Sequence, residues 1–162
     1  NLKFISTSLN NLKIIFNTSA IKSIEKMDIS EYNGRVKSAR NNGIVNDTRE
    51  LQGQSPYLIN AGLNYASSNG KIESSINYNV QGRTLQIVGT TYVPDVYTEP
   101  FNSINFNANY KLGENNKFKI GLRIKNILNE KVENYYLSFG HKALFSSLNP
   151  GREFKLSLSI NF

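Results

Sequence analysis

In Ile104-Asn-Phe-Asn-Ala-Asn-Tyr-Lys-Leu112 every second residue is apolar, so that Ile104, Phe106, Ala108, Tyr110 and Leu112 share one side and Asn105, Asn107, Asn109 and Lys111 the other. A period of two is that of a β-strand, whose successive side chains point to opposite faces. The pattern returns in Phe118, Ile120, Leu122 and Ile124 against Lys117, Lys119, Gly121, Arg123 and Lys125. It returns again in Phe154, Leu156, Leu158, Ile160 and Phe162 against Lys155, Ser157, Ser159 and Asn161. Upstream, Tyr57, Ile59, Ala61, Leu63 and Tyr65 alternate with small or polar residues, as do Ile72, Ile76, Tyr78 and Val80. Around Leu12, Ile14, Phe16 and Ala20 the alternation is blurred by Ile15 and Ile21, and beyond Gly82 the apolar phase slips to Leu85 and Ile87, which predicts a bulge or a strand leaving its apolar surroundings. Six strands are predicted.

The connections between them alternate in length. Ser67-Ser-Asn-Gly70 and Gly113-Glu-Asn-Asn116 are tight, Gly/Asn-bearing turns of the kind that join antiparallel neighbours. Residues 26–53, 88–101 and 127–151 form long segments without strong periodicity, and these all fall at the opposite end of the strands. Short turns on one side and long loops on the other is the asymmetry of an outer-membrane barrel. Under that reading Tyr65, Tyr110, Phe118 and Phe162 gather at the short-turn rim as a periplasmic-side aromatic belt, because such rings favour the boundary between apolar and wet.

Composition narrows the choice. The chain has 162 residues, with 9 Tyr, 9 Phe, no Trp and no Cys, so it offers no disulfide and no thiolate metal site. Its net charge of +7 is spread along the chain as a solvated basic surface and not clustered as a nucleic-acid patch, so no nucleic-acid partner is expected. No run approaches the roughly 20 apolar residues of a membrane-spanning helix, whereas a spanning strand needs only about 9 to 11 residues with one apolar face. A β-sandwich also alternates. The alternating loop lengths, the aromatics at strand ends and an apolar strand face running to Phe162 favour an antiparallel transmembrane β-barrel over a sandwich. Because bacterial barrels start at about 8 strands, and because Asn1 follows neither an initiator Met nor a signal segment, the chain is expected to be the C-terminal piece of a larger barrel.

Several segments carry a family likeness. Leu51-Gln-Gly-Gln-Ser-Pro-Tyr-Leu-Ile-Asn-Ala-Gly-Leu-Asn-Tyr65 is similar to a run entering a late barrel strand of the TonB-dependent outer-membrane receptors, and Tyr78-Asn-Val-Gln-Gly-Arg83, Val88-Gly89 and Pro94-Asp-Val-Tyr-Thr-Glu-Pro100 resemble that family's next strand and outer loop. Leu122-Arg-Ile-Lys-Asn-Ile-Leu-Asn-Glu-Lys131 resembles its penultimate strand and following turn, with Ile127-Leu128 in place of the common Leu-Phe. Pro150-Gly-Arg-Glu-Phe154 and the last strand resemble its closing signature. The resemblance implies the last six strands of a barrel of about 22, with the plug and N-terminal strands outside residues 1–162, in the outer membrane of a Gram-negative bacterium. It implies uptake of a scarce nutrient, whether siderophore, glycan, peptide or cobalamin. The partners it implies are the rest of the barrel and its plug, outer-membrane lipid and lipopolysaccharide, TonB through the N-terminal part, and the assembly machinery, which reads Phe154, Leu156, Leu158, Ile160 and Phe162 as its signal.

Catalysis is not expected. His141 is the sole histidine, no Cys is present, and no nucleophile, base and orienting group can be assembled. No cofactor is expected, because the glycines are dispersed and none opens a helix after a strand. No metal site is expected either, since His141 has no second ligand nearby and Asp28, Glu31, Asp47 and Glu50 read as a surface charge set. Arg35, Lys37, Arg40, Tyr92, Tyr97, Tyr135 and Tyr136 are the candidate loop residues for ligand contact, and they suit glycans, chelates and peptides alike. Two further readings share parts of the pattern. A non-transporting barrel or scaffold subunit would have the same wall without a plug, and a soluble carbohydrate-binding β-sandwich would disperse as a monomer without detergent.

Overall fold

The computed structural model describes residues 11–38, 44–90, 92–138 and 141–160. Strands β1 (Leu12–Ala20) and β2 (Ile24–Lys26) are followed by helix α1 (Ile29–Lys37) and strand β3 (Thr48–Glu50). Then come β4 (Tyr57–Ala66), β5 (Ile72–Gln81), β6 (Thr84–Ile87), β7 (Asp95–Thr98) and β8 (Phe101–Leu112). The chain continues through β9 (Phe118–Lys125), β10 (Val132–Ser138), β11 (His141–Leu148) and β12 (Glu153–Ile160). The architecture is all-β and antiparallel, as the alternation requires.

The six predicted strands form one sheet in the order β1-β4-β5-β8-β9-β12. This sheet is open, with β1 and β12 at its two edges. Its register places the apolar positions on one face strand after strand: Leu63 opposite Ile14 and Ile76, Phe106 opposite Ile76 and Ile124, and Ile124 opposite Phe154. The other face carries Lys13, Asn64, Ser75, Asn107, Arg123 and Lys155 in one continuous row across all six strands. Ile15, which blurred the first strand, falls on this polar face directly opposite Gly62, whose missing side chain leaves it room.

Both tight turns are made as their residues predict. Ser67 N donates to Ile72 O at 2.8 Å, and Gly70 takes φ +66°. Gly113, Asn115 and Asn116 all have positive φ, a region in which Gly and Asn are favoured. Tyr65, Tyr110 and Phe118 lie on the apolar face at this end, in three successive cross-strand rows, while Phe162 lies outside the described residues.

The long segments differ from expectation, because they are not irregular loops. Strands β6 and β7 pair with each other and β10 pairs with β11, giving a second sheet in the order β11-β10-β7-β6. Each of these follows or precedes a strand of the main sheet across a short break, so the hairpins continue past the main sheet and pair again. Strands β2 and β3 pair likewise beyond β1 and β4, with α1 between them. Their shortness and mixed burial hid them. Thr84 and Leu85, consecutive in β6, are both buried, so no alternation is left to read. The slip beyond Gly82 is a break before β6 followed by a register shift between Leu85 and Ile87.

Asn126 ends β9 and fixes the break before β10. Its φ is +50°, its side-chain amide donates to Glu130 O at 3.0 Å and Gly151 O at 2.9 Å, and its Oδ1 accepts from Glu130 N at 3.0 Å. One buried asparagine thereby ties the chain leaving β9 to the chain entering β12, which is the physical content of the Lys-Asn-Ile-Leu-Asn-Glu run. Asn126→Ala should cost about 2–3 kcal/mol through the orphaned partners and the left-handed φ. Equilibrium unfolding measures this, and an unchanged denaturant midpoint would show the turn to be held by other contacts.

Candidate functional site

Four of the candidate contact residues fall into two groups at the long-segment end. Arg35 and Tyr97 line a cleft of about 430 Å³ where β2, β3, α1 and β7 meet, together with Arg49, Gln54 and Asp95. Tyr92 and Tyr136 line a second, more apolar cleft of about 400 Å³ with Pro94 and His141. The two groups share no lining residue. Lys37 is exposed at the end of α1, and Arg40 lies outside the described residues.

Helix α1 is placed by charge. Asp28 caps its N-terminus, accepting from Glu31 N at 2.7 Å, which is the pairing that an Asp three residues ahead of a Glu favours. Its apolar residues Ile29 and Val36 are exposed, so no apolar stripe fixes the helix against a core. Arg35, only 7% exposed, reaches across to the strand β7 instead. Its Nη1 donates to Asp95 Oδ2 at 2.7 Å and its Nη2 to Asp95 Oδ1 at 2.9 Å, a bidentate pair. Burial works against the charge of Arg35, but the hydrogen bond and charge of Asp95, then those of Glu31, outweigh it and raise its pKa. Glu31 Oε1 accepts from Arg35 Nη2 at 2.9 Å and from Arg49 Nε at 3.0 Å, and Arg49 Nη1 pairs with Glu25 Oε2 at 2.8 Å.

Asp95 also accepts from Gly89 N at 2.7 Å, which folds the β6–β7 connection back on itself. A Cβ at Gly89 would lie 2.1 Å from Val93 O, so only glycine fits there. Tyr97 lies beneath Arg83, whose guanidinium carbon stands 4.6 Å from the ring centroid. Burial, then the nearby Asp95 and Glu50 charges, push the Tyr97 phenol up, against the smaller pull of Arg83 and Arg35. It therefore remains a protonated donor at neutral pH.

In the second sheet Tyr135 donates to Glu133 Oε2 at 2.8 Å, which raises its pKa, and Tyr136 meets Phe145 edge to face at 5.1 Å. His141 is exposed at the start of β11, a strand and not a loop as expected. Of the four acidic residues read as a surface set, Asp28 is a helix cap and Glu31 a buried-edge bridge. No group of metal-binding side chains occurs among the described residues. Arg49 and Asp95 escaped sequence reasoning, because Arg35 and Asp95 stand 60 positions apart and nothing local links them. Asp28 and Glu31 carried the one usable signal, a cap box.

Compared with known proteins, the chain matches no family model, no curated protein and no solved structure.

Proposed function

We propose that this chain is part of the wall of a TonB-dependent outer-membrane receptor, a plugged barrel of about 22 strands that takes up a scarce nutrient. One observation carries the reading. The main sheet presents an apolar face on which Ile14 is 79%, Phe154 67% and Leu156 77% exposed, and even the central Leu122 keeps 38%. Among the described residues, strand contacts of any extent run between neighbours of one sheet, so the second sheet does not cover that face as the partner layer of a sandwich would. Burying a Leu, Ile or Phe is worth about 1.5–3 kcal/mol, and the sum over this face exceeds the roughly 5–15 kcal/mol by which whole domains are stable. Lipid supplies the missing apolar contact.

The polar face lines the lumen toward a plug, β1 and β12 each offer an edge to further strands of the barrel, and the second sheet with its two clefts stands on the nutrient side. Phe154, Leu156, Leu158 and Ile160 face lipid and serve as the assembly signal, while coupling to TonB resides in the plug. The described clefts hold the ligand-contacting role for Tyr92, Tyr97 and Tyr136.

The chain contains no cysteine, so each introduced one is unique within residues 1–162. In outer-membrane vesicles, Leu122→Cys and Leu156→Cys should resist a membrane-impermeant maleimide until the protein is unfolded, while Tyr92→Cys should react at once. Equal labelling of all three in intact vesicles would sink the proposal.

A further inference from the structure

On the polar face of the main sheet, two adjacent rows enclose a hollow of about 360 Å³. The upper row is Asn107, Arg123 and Lys155, and the lower row is Asn109, Gly121 and Ser157. At its floor Gly121 carries no side chain, and Ser157 Oγ and Asn109 Oδ1 close over it instead. A Cβ at Gly121 would lie 2.6 Å from Ser157 Oγ and 3.0 Å from Asn109 Oδ1, so any larger residue would displace both.

Two cations border this hollow from neighbouring strands, directly opposite one another. Like charges in that position repel and destabilise a sheet unless an anion lies between them. The carboxylates on this face are engaged elsewhere: Glu73 pairs with Lys111 at 2.7 Å and Glu153 with Lys125 at 3.1 Å. Among the described residues no carboxylate comes within ion-pair distance of Arg123 or Lys155. Arg123 is already oriented, its Nε donating to Asn107 Oδ1 at 3.0 Å, which leaves its two terminal nitrogens as a planar fork.

We infer that the Gly121 hollow binds a carboxylate group. The terminal nitrogens of Arg123 take its two oxygens, the arrangement for which a guanidinium is shaped, and Lys155 supplies the second charge from the facing strand. Asn109 and Ser157 complete the rim with neutral polar groups. The carboxylate arrives either on a free small molecule or on an acidic side chain of a polypeptide laid against this face. The site belongs to the sheet itself and does not depend on the receptor reading, since its residues lie on the three neighbouring strands β8, β9 and β12.

Titration calorimetry on the intact protein that contains this chain, in zwitterionic micelles at low salt, tests it, with succinate and a blocked glutamate-containing tripeptide as probes. Affinity on the order of millimolar is expected, weakened about tenfold or more by R123Q/K155Q and by G121A and left alone by K71Q, a lysine outside the hollow. Far-UV circular dichroism verifies that each variant keeps its strands; should G121A fail to fold, R123Q/K155Q decides alone. Binding of both probes assigns the site to free carboxylates, and binding of the peptide only assigns it to a polypeptide partner. Absence of binding by either probe, or binding that survives R123Q/K155Q or a folded G121A unchanged, overturns the inference.

Discussion

Leu122→Arg is expected to cost about 2–4 kcal/mol in the lipid-inserted protein, the penalty of a guanidinium near the middle of a barrel's lipid face. Leu122 sits midway along β9 between Ala108 and Leu156, with apolar neighbours on both adjacent strands. Its neighbour in sequence, Arg123, is already charged and faces the opposite way, so Arg123→Gln should shift stability by less than about 0.5 kcal/mol, as surface changes generally do. The contrast between adjacent positions removes composition and strand propensity from the comparison. Denaturant unfolding in lipid vesicles reads both values. Equal midpoints for Leu122→Arg and wild type would mean that the apolar face does not meet lipid.

The second large effect concerns the helix α1. Arg35→Met removes the fork that joins α1 to β7 and should cost about 3 kcal/mol of local stability, because the part-buried carboxylates of Asp95 and Glu31 lose charge-assisted partners while their desolvation remains. Amides of residues 29–37 should then exchange with solvent far sooner than in the wild type, with the main sheet unaffected. Arg35→Met/Asp95→Leu should recover part of the loss, since replacing both partners leaves less charge to solvate. Unchanged exchange in Arg35→Met would show that Arg49 and Glu31 hold the helix without it. The cleft beside α1 depends on the same anchor, so any ligand that uses Gln54 or Tyr97 should weaken in parallel.

The candidate residues illustrate why placement was harder to read than architecture. Arg35 and Tyr97 were both legible as loop residues of a contact-forming type, yet the first is consumed by ion pairs and the second is half-covered by Arg83. Whether an arginine is free or committed depends on what lies 60 residues away, and no local pattern reports that. Short strands were lost for a related reason. Between Asn134 and Tyr135 of β10 the facing strand β11 carries one extra residue, Phe145, and this breaks the period of two in β11 where it would otherwise be recognisable.

By itself the sequence determined the six-stranded sheet, its apolar and polar faces and its tight turns, because these rest on the pleat and on residues such as Gly70 and Asn115 that accept a left-handed backbone. Each depends on neighbours within a few positions, so the information is local. Only the tertiary structure decided that the long segments pair into a second sheet, that Arg35 locks α1 to β7, and that Arg123 and Lys155 border one hollow floored by Gly121. Those features arise where strands far apart in the chain meet in register, and register is a property of the assembled sheet.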